Sequence, residues 1–170
     1  MLSTKLQDAL NEQMKNEFAS GYLYQAMAAY FEPEELKGFA HWMRVQALEE
    51  LVHGEKFFNF ICEVGGRPVL LPIDAPKSDY KSPLDVYEYG LKHEQFVTSR
   101  INQLMDLAKQ ESNHAAQIFL QWFVTEQVEE ESNFTAFVKK LKLVEGDGRG
   151  LLLLDQEAAQ RVFTPPAAQP

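Results

Sequence analysis

Apolar residues recur every three or four positions along four long stretches of the chain, and each stretch reads as an amphipathic helix. The first covers residues 4–32 on the stripe Leu6, Leu10, Met14, Glu17, Gly21, Tyr24, Ala28 and Phe31. Lys5, Asp8, Glu12 and Lys15 fall on its other faces. Glu32-Pro33 ends it, and Pro33 is expected in the first turn of the next helix, where its missing N–H costs nothing. The second stripe is Phe39, Met43, Gln46, Glu50, His53, Phe57, Phe60 and Val64, stopped by Gly65-Gly66. Ser82-Pro83 pairs a cap with an N1 proline and opens a third helix on Tyr87, Gly90, Glu94, Val97, Ile101, Leu104 and Ala108. The chain turns at Glu111-Ser112-Asn113. A fourth helix follows on Ala116, Leu120, Phe123, Gln127, Glu130, Phe134, Phe137 and Leu141.

Connection lengths set the topology. The first-to-second and third-to-fourth links are a few residues long, which forces antiparallel neighbours. The 65–82 segment, with Pro68, Pro72 and Pro76, can reach roughly 59 Å when extended. A helix of 30 residues is about 45 Å long, so this segment can run the whole bundle and leave helices two and three parallel. The expected fold is all-α: an up-down-down-up four-helix bundle with one long crossover. Residues 1–145 make the bundle. Residues 146–170 supply a glycine-rich hinge, a short C-terminal fifth helix near Leu151 to Phe163 and a Pro/Ala tail, all in the same domain. Leu151 to Leu154 wrap that fifth helix on every side, so part of it is expected to pack against another subunit.

The polar members of the stripes carry the chemistry. Glu17, Glu50, His53, Glu94, Gln127 and Glu130 lie within about five residues of their helix centres, so the bundle should bring them to one level. A carboxylate buried without a partner costs several kcal/mol. No Lys or Arg stands three or four residues from Glu17, Glu50, Glu94 or Glu130. Hard oxygen ligands with one imidazole point to a metal as the missing positive charge, and to two ions more readily than one. Glu50 and His53 are three apart and share a face, so the carboxylate can bridge two ions while the imidazole caps one. Where a symmetric di-iron bundle would repeat Glu-x-x-His, the fourth helix has Gln127-Val128-Glu129-Glu130. A neutral amide without a second imidazole holds one ion loosely, which suits a site that passes its product on.

Asn16-Glu17, Tyr22-Leu23-Tyr24, Phe39-Ala40-His41-Trp42, Glu49-Glu50-x-x-His53, Glu94 and Trp122 through Glu131 occur in order. In these motifs the chain resembles the non-haem ferritins of bacteria and archaea, within the ferritin-like di-iron family, over essentially its full length. The resemblance implies that Glu17, Glu50 and His53 bind a first iron and that Glu50, Glu94 and Glu130 bind a second. Gln127 lies beside them and Tyr24 hydrogen-bonds their carboxylates. It further implies a third, weaker iron position at Glu49, Glu126, Glu129 and Glu130. Such proteins oxidise ferrous iron with dioxygen or peroxide, as ferroxidases, and store it as ferric oxide mineral inside a 24-subunit shell.

The remaining features narrow the alternatives. A net charge of −9 argues against sequence-independent nucleic-acid binding and suits cationic partners. The chain has no apolar run long enough to span a membrane and no secretory leader pattern at its start, and its one cysteine fits a reducing cytoplasm. Cys62 is expected as a small buried hydrophobe, and Trp42 and Trp122 as core residues. His41, His93 and His114 are expected at the surface or an interface, and Glu131 on a solvated face. Gly21, Gly54 and Gly90 are candidates for close helix approach. A haem-containing bacterioferritin would carry methionine after the bridging glutamate, where this chain has Leu51, so no haem is expected. A di-iron oxidase without storage is the other alternative.

Overall fold

A computed structural model describes residues 2–164. It contains α1 (Thr4–Phe31), α2 (Lys37–Glu63), α3 (Pro83–Gln110), α4 (His114–Leu143) and α5 (Gly148–Ala158), with no strand among the described residues. Four of the five helices start on a local cap. Ser3 accepts from the Leu6 N–H at 3.0 Å, Ser82 from Asp85 at 3.1 Å, and Asn113 from Ala116 at 3.0 Å. Asp147 accepts from the Arg149 N–H at 3.0 Å. Each such bond satisfies a backbone donor that the helix itself leaves open. α2 stops as its glycines require: Gly65 takes φ 76°, and the Gly66 N–H reaches back to the Ile61 carbonyl at 2.8 Å.

The start of α2 departs from expectation. Pro33 does not open the helix; it lies in a turn over residues 32–35 in which Glu35 adopts φ 56°. α2 begins at Lys37 with no side-chain cap of its own. Its open donor is met from the far end of the sequence, where the Asp155 carboxylate of α5 accepts from the Phe39 N–H at 2.8 Å. Distant capping removes the need for a local one. α5 also ends early, at Ala158 rather than Phe163. Residues 165–170 of the expected tail lie outside the described residues.

Two apolar clusters establish the helix directions. One joins Leu23–Phe31 of α1 and Phe39–Ala47 of α2 to Val86 and Tyr87 of α3, Phe134–Leu141 of α4, and Leu154 and Ala158 of α5. The other joins Leu6–Met14, Phe57–Ile61, Val97–Ala108 and Ala116–Phe123. The end of α1 thus meets the starts of α2 and α3 and the end of α4, which is the up-down-down-up order. The crossover runs beside α1 for most of its length. The main chain of Arg67 and Val69 is tied to the side-chain amides of Gln7 and Asn11 by hydrogen bonds of 2.8–3.2 Å, and Tyr80 packs edge-on against Tyr30 at 5.5 Å.

Glycine permits the close packing around the middle of the bundle. A Cβ at Gly21 would stand 3.2 Å from the Ala47 carbonyl oxygen, and one at Gly54 would stand 2.5 Å from the Phe18 ring. The leucines of α5 divide as a wrapped helix must. Leu154 is buried and Leu151 half-buried, whereas Leu152 and Leu153 are 57% and 66% exposed. Cys62 is exposed, not buried. It follows Ile61, the last core residue of α2, and so points about 100° away from the stripe.

Candidate metal centre

Between the two apolar clusters lies a polar belt. Glu17 of α1, Glu50 and His53 of α2, Glu94 of α3, and Gln127 and Glu130 of α4 are all buried there. His53 Nδ1 lies 3.4 Å from Glu50 and 4.0 Å from Glu17, while its Nε2 lies 3.8 Å from Glu126. Ligand atoms of Glu17, Glu50 and His53 fall within 4.8 Å of one another, and so do those of His53, Glu126 and Glu130. The imidazole therefore stands between two groups that could each hold a cation.

Neutral amides and a phenol orient the carboxylates. Gln13 donates to Glu17 at 2.8 Å, and Gln46 donates to Glu50 at 3.1 Å and to Glu130 at 2.8 Å. Gln127 donates to the Glu94 carboxylate at 3.1 Å and to Thr98 at 3.3 Å, and Thr98 donates to Glu131 at 2.6 Å. Glu131 is thus a half-buried acceptor rather than part of a solvated face. The Tyr24 hydroxyl donates to Glu94, and its ring stacks on Phe134 at 5.6 Å. The supporting roles of Gln13 and Gln46 were not anticipated from the sequence. The signal was present: each amide precedes its glutamate by four residues, one turn away on the same face.

The electrostatics show what this belt lacks. Burial, reinforced by Glu50, pushes Glu17 up to about 8. Burial with Glu130 nearby pushes Glu50 to about 8, and burial with Glu94 nearby does the same to Glu130. Burial and Glu50 raise Glu94 well above the carboxylate range, and burial and Glu94 raise the Tyr24 phenol. Among the described residues, His53 is the one cationic-capable side chain in ion-pair range of Glu17 and Glu50. Four crowded acids held neutral by protons are poised to exchange them for a multivalent cation.

A cavity of about 640 Å³ opens beside the belt, lined in part by Glu49, His53, Glu126, Glu129, Glu130 and Arg161. Glu126 is half-buried and Glu129 exposed. Glu49 lies in the same wall, but its carboxylate is already ion-paired with Arg161. Trp122 is half-buried, with its ring edge-on to His53 at 5.3 Å, whereas Trp42 is a core residue. His114 is exposed, and His41 is half-buried against the Arg161 carbonyl at 2.8 Å. His93 is half-buried between α1 and the crossover. It sits 2.7 Å from the Ser20 hydroxyl and edge-on to Tyr24 at 5.9 Å, and burial pushes it down to about 4.

Residues 7–144 match the family described as "Ferritin-like domain". The chain is 40% identical over 163 residues to the bacterial non-heme ferritin of Staphylococcus aureus, covering 96% of this chain and 98% of the relative. It is 41% identical to that of Staphylococcus saprophyticus over the same span. Among solved structures, the open pore ferritin of the hyperthermophilic archaeon Archaeoglobus fulgidus superposes with a TM-score of 0.94 at 47% identity, covering 95% of this chain and 98% of that one. A humanized archaeal ferritin superposes with a TM-score of 0.96 at 48% identity, covering 97% of this chain and 100% of the other. With its buried carboxylate belt and the family match across both halves of the bundle, this chain belongs to the ferritin family and to its non-haem type.

Proposed function

We propose that the chain is an iron-storage ferritin subunit. It oxidises ferrous iron at an intrasubunit centre, and 24 copies enclose the ferric oxide mineral that results. The observation that carries this reading is the belt itself: four buried glutamates and one imidazole, from four helices, with no lysine or arginine among them. Glu17, Glu50 and His53 receive one ferrous ion, and Glu50, Glu94 and Glu130 receive the other. Gln127 and Tyr24 hold Glu94 in place. A third ion, moving outward, meets Glu126, Glu129 and Glu130 in the cavity wall, with Glu49 beside them. Leu51, exposed on α2, offers no ligand to a haem iron.

Iron is substrate here. Two ferrous ions each give one electron, and dioxygen takes both with two protons and leaves as hydrogen peroxide. Peroxide as oxidant takes two electrons and two protons to give two waters. The raised carboxylates supply protons as the ions arrive. Mineral formation requires confinement, and the exposed Leu152 and Leu153 with Val69 and Leu70 offer apolar surface for contacts between copies.

Stopped-flow oxidation tests the centre. His53→Ala should slow the fast phase at least about tenfold, or more than about 1.4 kcal/mol in barrier, while helix content is unchanged. An unaltered fast phase would remove the centre from the mechanism.

A further inference from the structure

Arg161, three residues past the end of α5, reaches back across α2 to ion-pair with Glu49. The two side chains are only 15% and 18% exposed, so the pair is largely shielded from water. The guanidinium lies 4.1 Å above the Trp42 ring, and the Arg161 backbone carbonyl accepts from His41 Nε2 at 2.8 Å. With the Asp155 carboxylate on the Phe39 N–H, these contacts fasten the chain from α5 to Arg161 along the first half of α2. The fastening is incomplete at one point. Arg161 Nη1 is buried without a hydrogen-bond partner among the described residues, so the docked guanidinium leaves a donor unmet.

Glu49 is thus claimed twice. It lines the cavity with Glu126, Glu129 and Glu130, and it is also the carboxylate on which Arg161 rests. A divalent ion drawing on Glu49 would stand close to a fixed positive charge in a partly dry site, where like charges repel strongly. We propose that Arg161 is a built-in competitor for the third cation position: its guanidinium holds Glu49 while the position is empty and leaves as a divalent cation takes that carboxylate. Filling the position and undocking residues 159–164 from α2 are then one linked step, and by reciprocity the docked segment weakens cation binding. The inference rests on the reading of Glu49, Glu126, Glu129 and Glu130 as a cation position. Lys140 also lines the cavity, but it is ion-paired with Glu157 and so is not placed to compete for Glu49.

The test uses Zn(II), which binds hard oxygen and imidazole ligands without redox chemistry, and the full-length protein. Calorimetric titration of Arg161→Gln should show the third binding event tightened about tenfold, with the first two unchanged, while Arg161→Lys stays near the parent. An arginine with only a structural role would, on removal, leave the third event unchanged or weaker. That result overturns the proposal while leaving the position itself standing. Absence of any third event in parent and variants alike, with the first two intact, overturns both. A second readout needs no substitution at Arg161. Hydrogen exchange across residues 159–164 should accelerate only as the third ion binds, and unchanged or greater protection at that step also overturns the proposal.

Discussion

Gln46 and Glu130, from antiparallel helices, are joined by a 2.8 Å hydrogen bond, and the same amide nitrogen reaches Glu50 at 3.1 Å. One neutral side chain therefore orients two crowded carboxyl groups, while its own buried carbonyl oxygen has no hydrogen-bond partner among the described residues. Replacing Gln46 by Met keeps the volume and removes the bridge. The metal-free protein should lose about 1–3 kcal/mol in denaturant unfolding, the usual result of unpairing buried polar groups. Zn(II) should recover most of that loss, because a cation then orients the same carboxylates. Equal destabilisation with and without Zn(II) would show that the amide serves packing alone.

The pH dependence follows from the raised acids. Glu17, Glu50 and Glu130 titrate near 8 in the folded chain against an ordinary 4.5. Between those values the unfolded chain has released protons that the folded chain still holds, so stability of the metal-free protein should fall as pH rises through this window. Above about 8 the contribution levels off. Cation binding should release more protons at pH 6.5 than above pH 9, where Glu17, Glu50 and Glu130 have already lost theirs. Calorimetry in buffers of different ionisation heat reads that number directly, and pH-independent proton release would contradict the assignment of the belt.

The α2 start depends on α5. Asp155→Ala should cost about 1 kcal/mol, as loss of an N-cap does, and should increase exchange at the Phe39 amide. Truncation before Gly150 removes that cap together with Leu154 and Ala158 from the core, so it should cost more and weaken assembly as well. Identical stability of Asp155→Ala and the parent would leave the Phe39 donor satisfied by other means.

How much of this was legible in the sequence depended on distance along the chain. Helical stripes report local periodicity, so the four long helices, the crossover and the mid-bundle level of Glu17, Glu50, His53, Glu94, Gln127 and Glu130 all followed from spacing. Pro33 misled because its local signal was correct for a helix start, whereas α2 takes its cap from Asp155, remote in sequence. Arg161 on Glu49 was hidden for the same reason. Periodicity could have placed Cys62, since it falls midway between the stripe positions Phe60 and Val64, about 200° round the helix from each. His93 precedes Glu94 and lies off the apolar stripe, yet Ser20 and Tyr24 enclose it. Packing from a neighbouring helix is not written in α3 itself.

The third cation position makes its own kinetic prediction. With Glu49, Glu126 and Glu129 all changed to Ala, the first fast oxidation should survive, because Glu17, Glu50, His53 and Glu94 remain. Stoichiometry and later turnover should change instead, read by stopped-flow over successive ferrous additions. Loss of the first phase with later additions unaffected would reverse the proposed roles.

Oxidation coupled to storage can be read in one experiment. The protein is loaded anaerobically with ferrous iron, exposed to air, and passed over a sizing column with light scattering and iron analysis on the eluate. The expected species is near 24 chains, about 470 kDa from subunits of 19.5 kDa, and carries far more iron per chain than the three ions proposed for its centre. A monodisperse dimer at every salt concentration, with iron precipitating outside it, would contradict storage and leave a di-iron oxidase.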